Sequence, residues 1–160
     1  MRKAFAFAIA AALTACGSNT DFSQNCSMNV SVNGGAQQTV SCFAAGAAMQ
    51  GGGSAVSITI PSAVGTLQAA QFGIVLSSTT PAVRTYAPAD VSSSIGQVQT
   101  TGGALYVQSS PSLGTFSLTL TNVTSAAANG QTAYFIHGSA TVTLAGQGGA
   151  PGTATLNATF

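Results

Sequence analysis

Hydrophobic and polar residues alternate along several segments of this chain, with Ser, Thr, Asn, Gln or Gly filling most of the polar positions. A period of two places successive side chains on opposite faces of an extended strand, so each segment predicts a β-strand with one buried face. The apolar members should form the core: Val56, Ile58, Ile60, Phe72, Ile74, Leu76, Phe116, Leu118, Leu120, Tyr134, Ile136, Ala140, Val142, Leu144, Leu156, Ala158 and Phe160.

Turn residues separate the alternating segments at the spacing typical of an all-β protein. Counting the segments between these turns predicts about nine strands, arranged as a single antiparallel β-sandwich that is immunoglobulin-like or jelly-roll-like. We expect hairpins joining residues 95–99 to 105–109, 115–123 to 132–144, and 132–144 to 153–160. Gly138 interrupts the longest strand and predicts a β-bulge, and residues 62–70 are expected to hold a short helix.

Cys26 and Cys42 lie at equal distances from Gly34 along the chain. The sequence Asn33-Gly34-Gly35 favours a tight hairpin turn, because these residues tolerate the positive φ angles that such a turn needs. A hairpin centred on Gly34 sets Cys26 opposite Cys42. Opposed residues have Cα atoms about 4.5 to 5.5 Å apart, which a disulfide can span. We therefore predict a Cys26–Cys42 disulfide, and with it an oxidising compartment outside the cytoplasm.

The first fifteen residues have the layout of an export signal, with Met1-Arg2-Lys3 followed by an apolar run. That run is about a dozen residues long, whereas a helix needs about 20 apolar residues to cross a bilayer. We expect residues 1–15 to be a cleaved signal peptide, residues 16–24 a short polar tether, and residues 25–160 one sandwich domain.

The leader ends in Leu13-Thr14-Ala15-Cys16, which resembles the lipobox of bacterial lipoproteins. The resemblance implies that Cys16 receives a covalent lipid and becomes the first residue of the mature chain. The cysteine count agrees, because an exported chain with three cysteines leaves one unpaired unless it has another task. The alternative is an ordinary secreted protein in which Cys16 falls at this place by chance. Gly17 follows the cysteine, which resembles outer-membrane cargo, so we expect a lipid-anchored protein of the bacterial cell envelope at the outer membrane.

The C-terminal third contains GTFSLTLTNVT, YFIHGSATVTL and GTATLNATF. In this it resembles Ser/Thr/Gly-rich β-sandwich lipoproteins of Gram-negative bacteria. The resemblance implies a location and an architecture and brings no catalytic residue with it. We therefore expect a structural or interaction module, not an enzyme, which is held to the membrane by its lipid and meets a protein or glycan partner.

Few charged side chains remain once the leader is removed: Asp21, Arg84 and Asp90. Nucleic-acid binding needs clustered Lys and Arg, and recruitment to anionic lipid needs a polybasic segment, so neither is expected. With one His, no Glu and no calcium-loop motif, we predict no metal site, and no cofactor besides the covalent lipid on Cys16.

The remaining candidate contact residues are Arg84, Tyr86, Asp90 and His137. Arg84 and Asp90 flank a Pro-containing loop and are expected to pair across it, although facing a partner is the alternative. Tyr86 lies within that loop and is the best candidate for an exposed aromatic residue. A ligand-binding lipoprotein that uses these loop residues is therefore the second functional hypothesis.

Two further alternatives rank lower. A hydrolase lacks support because there is no G-x-S-x-G motif, and His137 alternates with the core residues Tyr134 and Ile136, which predicts a solvent-facing histidine. A small outer-membrane β-barrel could end in Phe160. It would need aromatic girdles and strands of about 9 to 11 residues, whereas Trp is absent and several segments are short. We instead expect Phe160 to pack into the core of a sandwich.

Overall fold

The computed structural model describes residues 26–49, 53–109, 115–128 and 131–160, which form eleven β-strands and one short 3₁₀ helix. The strands are β1 (Ser27–Val32), β2 (Gln38–Ser41), β3 (Phe43–Ala48), β4 (Ser54–Thr59), β5 (Leu67–Leu76), β6 (Thr85–Tyr86), β7 (Ser93–Thr100), β8 (Leu105–Ser109), β9 (Thr115–Ala128), β10 (Gln131–Gln147) and β11 (Thr153–Thr159). The 3₁₀ helix, η1, is Pro88–Asp90. The predicted all-β class is confirmed.

The strands form one continuous antiparallel arrangement in the order β2-β1-β11-β10-β3-β4-β5-β7-β8, which is β-sandwich-like. The longest strand, β10, organises it. Along its first half β10 pairs with β9 and β3, and along its second half it pairs with β11 and β8. From β10 the pairing runs through β3, β4, β5, β7 and β8, and β8 pairs with β10 again, so this part of the sheet closes on itself. Side chains from all parts of the sheet meet in one core.

Every residue that the alternation assigned to the core is buried in the structure. The rings of Phe72 on β5 and Phe116 on β9, which are far apart in sequence, lie with their centroids 5.3 Å apart. Phe160 is 6% exposed, which confirms its predicted place in the core. Period-two patterning therefore decided which face of each strand packs inward.

The predicted hairpins β7–β8, β9–β10 and β10–β11 are confirmed, and the register of β9 against β10 shifts between His137 and Gly138, where a bulge was expected. A Cβ atom built at Gly138 would collide with the carbonyl oxygen of Thr119, so only glycine fits without rearrangement. The bulge and the close approach of the two backbones explain the glycine at this point of β10.

Two strands lie outside the predicted segments, and one predicted element is wrong. Strand β3 consists of Phe, Ala and Gly and shows no polar alternation, while β6 is only two residues long. The helix expected over residues 62–70 is absent. Val64 and Leu67 instead exchange backbone hydrogen bonds, and β5 begins at Leu67. The side chain of Leu67 is buried because the register of β5 shifts between Leu67 and Ala69, which breaks the alternation of that strand.

Candidate functional site

The first candidate feature is the hairpin of β1 and β2. Met28 lies opposite Val40 and Ser27 opposite Ser41, which is the register expected from a turn centred on Gly34. One residue further, Cys26 and Cys42 are joined by a disulfide with their Cα atoms 4.9 Å apart. The backbone N–H of Cys42 donates a 2.9 Å hydrogen bond to the carbonyl oxygen of Cys26. The predicted disulfide is therefore confirmed.

Asn33 attaches the hairpin turn to Thr153, the first residue of β11. Asn33 and Gly34 have φ angles of 54° and 68°, and the N–H of Gly35 donates to the carbonyl oxygen of Val32 at 2.9 Å. The N–H of Asn33 donates to the carbonyl oxygen of Thr153 at 2.8 Å, and its side-chain oxygen accepts from the N–H of Thr153 at 3.0 Å. The sequence predicted the turn, but not this attachment to β11.

Tyr86, which we expected to be exposed in its loop, is only 1% exposed, so that prediction is wrong. The loop curls back so that the Tyr86 hydroxyl accepts a hydrogen bond from the N–H of Ala82 at 2.7 Å and donates to the carbonyl oxygen of Ala82 at 3.2 Å. These bonds satisfy the hydroxyl while the ring packs in the core. Tyr86 therefore offers no surface on which a ligand could stack.

Arg84 and Asp90 pair across the loop, as the sequence predicted. A terminal guanidinium nitrogen of Arg84 lies 3.5 Å from Oδ1 of Asp90, and the two side chains are 50% and 34% exposed. The guanidinium carbon lies 4.3 Å from the centre of the Tyr86 ring, and Oδ2 of Asp90 accepts the N–H of Ala87 at 2.8 Å. An ion pair this exposed contributes at most about 1 kcal/mol. Through the ion pair, the contact of Arg84 with the Tyr86 ring and the bond of Asp90 to the N–H of Ala87, the two charged groups help to order the loop.

His137 is exposed on β10, which confirms its predicted solvent-facing position. It lies opposite Asn122 of β9, next to the bulge. Strand β9 lies between the loop residues and His137: the carbonyl oxygen of Arg84 accepts the N–H of Leu120 on β9, and Leu120 lies opposite Gly138 on β10. The structure thus brings Arg84 into contact with both Tyr86 and Asp90, and it leaves His137 two strands away, on β10.

Some exposed apolar side chains lie outside the predicted candidates: Phe43, Met49, Val64 and Val83. Phe43 is 55% exposed and directly follows Cys42 at the start of β3. Its outward position follows from alternation, because Cys42 and Ala44 on either side of it are buried. The alternation that indicates an exposed Phe43 is therefore present in the sequence, but the small residues of β3 make it difficult to recognise.

The described residues contain no group of three or more His, Cys, Asp or Glu side chains that could hold a metal ion. In the same part of the chain, no helix has both the length and the apolar character that crossing a membrane requires. Cys16 and the rest of the predicted leader and tether lie outside the described residues, so lipidation of Cys16 stays a prediction.

Comparisons with protein-family models, with curated proteins and with solved structures found no match for this chain.

Proposed function

We propose that this chain is an exported lipoprotein of the bacterial cell envelope, anchored through Cys16 and acting as a structural or interaction module. The observation that carries the proposal is the pairing of Cys26 with Cys42. That bond accounts for two of the three cysteines in the sequence. The third, Cys16, stands at the end of a leader with a basic start and an apolar run, where a lipoprotein carries its modified cysteine.

The disulfide also supports export, because such bonds persist mainly in oxidising compartments. A covalent lipid gives about 0.8 kcal/mol of membrane binding per buried CH₂ group, and stable anchoring takes more than one chain. Bacterial lipoproteins, which this leader resembles, carry several acyl chains on the one cysteine. The nine residues 17–25 could span at most about 30 Å when fully extended, so the domain would stay near the bilayer.

Metabolic labelling with a fatty-acid analogue tests the anchor. We expect label on the wild-type protein and none on a Cys16→Ser variant. The matched control replaces Cys26 and Cys42 together by Ser, which removes the other cysteines and should leave the label in place. Full labelling of Cys16→Ser, or label lost only in the double variant, would contradict the proposal.

The outer-membrane assignment depends on Gly17. In enteric bacteria an Asp directly after the lipidated cysteine favours retention in the inner membrane. Density fractionation should therefore find the wild-type protein with the outer membrane and a Gly17→Asp variant with the inner one, while Gly17→Ser behaves like the wild type. Wild-type protein in the inner-membrane fraction would overturn this part of the proposal without affecting the anchor.

A module without catalysis is supported by the state of the polar candidates. Arg84 and Asp90 pair with each other, and Asp90 also holds a backbone N–H of its own loop. His137 lies opposite an asparagine, with no described acidic side chain across from it on β9. The ligand-binding alternative loses its stacking residue because Tyr86 is buried. Crosslinking in intact cells, followed by identification of the attached molecule, would name the protein or glycan partner.

A further inference from the structure

One side of strand β9 is open along residues 121–128. At Leu120 the strand is flanked on both sides, because Leu120 lies opposite Gly138 of β10 and its N–H donates to the carbonyl oxygen of Arg84 just before β6. From Asn122 to Ala128, β9 still pairs with β10, but β6 does not extend along this part of β9. Among the described residues nothing pairs with the other side of residues 121–128, which we call the β9 edge.

Several other edges in the described part of the chain are short, covered or closed, and the unpaired side of β10 at residues 139–144 lies between the points where β3 and β8 pair with that strand. Strand β2 has four residues, and the side chain of Gln38 bonds to the backbone N–H and the hydroxyl of Thr66 from the neighbouring loop. Strand β6 has two residues, and β8 pairs back to β10. Proteins commonly protect their sheet edges in these ways, because unpaired N–H and C=O groups attract further strands.

The β9 edge shows none of the usual protection. Its sequence, TNVTSAAA, contains no charged residue and no proline, which are the residues that normally discourage strand addition. Its side chains are small, and six of them are exposed: Thr121, Asn122, Thr124, Ser125, Ala126 and Ala127. The edge extends for eight residues, or roughly 27 Å at the rise of an antiparallel strand, which is room for several ladder hydrogen bonds.

We propose that the β9 edge pairs with the same edge of a second copy of this chain. Antiparallel pairing of two identical strands has two-fold symmetry, so each copy offers the other the same backbone groups in complementary order. Pairing centred on Thr124 sets this residue opposite Thr124 of the second copy, with Val123 opposite Ser125 on either side of the axis. Hydroxyl pairs are favourable at such positions, and no like charges oppose them.

The chemistry of the edge favours a copy of itself over a different protein. Complementary charged groups help an interface to select one partner and reject others. The β9 edge has none, and the only charged side chains that the structure describes, Arg84 and Asp90, are paired with each other at the end where β6 lies. What the edge does offer is main-chain hydrogen bonding and small side chains that leave room for an identical strand.

Photo-crosslinking of the full-length protein in cells tests the pairing. Two differently tagged copies are co-expressed, each with a benzophenone amino acid in place of Asn122, an exposed residue of the β9 edge. We expect a crosslinked product that has twice the mass of one chain and carries both tags. The matched control has the probe at Thr159, which is also exposed but lies on β11 between Ser27 of β1 and Ser139 of β10, and should give no such product.

Charge substitution at the centre of the edge separates pairing from misfolding. With Thr124→Lys in both copies, or Thr124→Glu in both, the yield should fall about tenfold, because like charges opposite each other disfavour strand pairing. Co-expression of one Lys copy with one Glu copy should restore it, which a merely misfolded variant could not do. No doubled product, equal crosslinking from Thr159, a product containing another protein, or no rescue by opposite charges would each overturn the proposal. None of these outcomes depends on the lipid on Cys16.

Discussion

Phe160 and Gly138 join the C-terminus of the chain to the bulge of its longest strand. The N–H of Gly138 donates to the carbonyl oxygen of Phe160 at 2.6 Å, and the N–H of Phe160 donates to the carbonyl oxygen of Gly138 at 3.0 Å. This pair lies where β10 exchanges one neighbour for another, since β9 pairs with it up to Gly138 and β11 pairs with it from Ser139 onward. The absence of a side chain at Gly138 allows the carbonyl of Thr119 to come close at the same place.

Replacing Gly138 by alanine should destabilise the protein by about 1 to 3 kcal/mol, because the new Cβ would collide with backbone that cannot rotate away. Denaturant unfolding of the oxidised protein measures the change. Gly102→Ala is the control, since a Cβ there meets nothing closer than 3.8 Å, and it should change the free energy of unfolding little. Equal effects of the two substitutions would contradict the close approach at Gly138.

Phe160→Ala should lower the free energy of unfolding by about 3 to 5 kcal/mol, since it removes a buried aromatic ring and leaves a cavity. The matched substitution is Phe43→Ala, which removes the same side chain from an exposed position and should change stability by about 0.5 kcal/mol or less. Both variants are compared by denaturant unfolding in water without detergent. A small effect at Phe160 would show that the last residue does not pack as described.

Reduction of the Cys26–Cys42 bond should destabilise the protein by about 3 kcal/mol, because a crosslink across a 16-residue separation restricts the unfolded chain. The Cys26→Ser, Cys42→Ser double variant should reproduce the effect of the reducing agent and then respond to it no further. Peptide mapping without reduction provides the direct check. Two free thiols in the protein as isolated from cells would refute the pairing.

Two buried serines should respond in opposite directions to substitution by alanine. The hydroxyl of Ser54 donates to the carbonyl oxygen of Ser78 at 2.9 Å, so Ser54→Ala should cost about 1 kcal/mol. The hydroxyl of Ser94 is buried without a hydrogen-bond partner among the described residues. Ser94→Ala removes a polar atom that gains nothing from burial, and should stabilise the protein by about 1 kcal/mol. Thermal unfolding of both variants measures the difference, and a loss of stability in Ser94→Ala would indicate a partner for that hydroxyl.

The sequence alone determined the features that depend on local period and spacing. Alternation assigned Phe160 and the other core residues to the buried face, since side chains of a strand must point to alternate sides. The equal distances of Cys26 and Cys42 from Gly34 determined the register of the first hairpin and with it the disulfide. These are properties of a strand or of a pair of neighbouring strands, and they need no knowledge of distant segments.

Only the tertiary structure decided the features that depend on which distant segments meet. Turn residues surround Tyr86 in the sequence, and it is buried because it lies in the two-residue strand β6, which pairs with β9, while its hydroxyl accepts the N–H of Ala82. Strand β3 has no polar alternation and forms because β4 and β10 lie on either side of it. The open edge of β9 likewise follows from where β6 ends. Burial and pairing of this kind depend on contacts between residues far apart in sequence, so local spacing could not determine them.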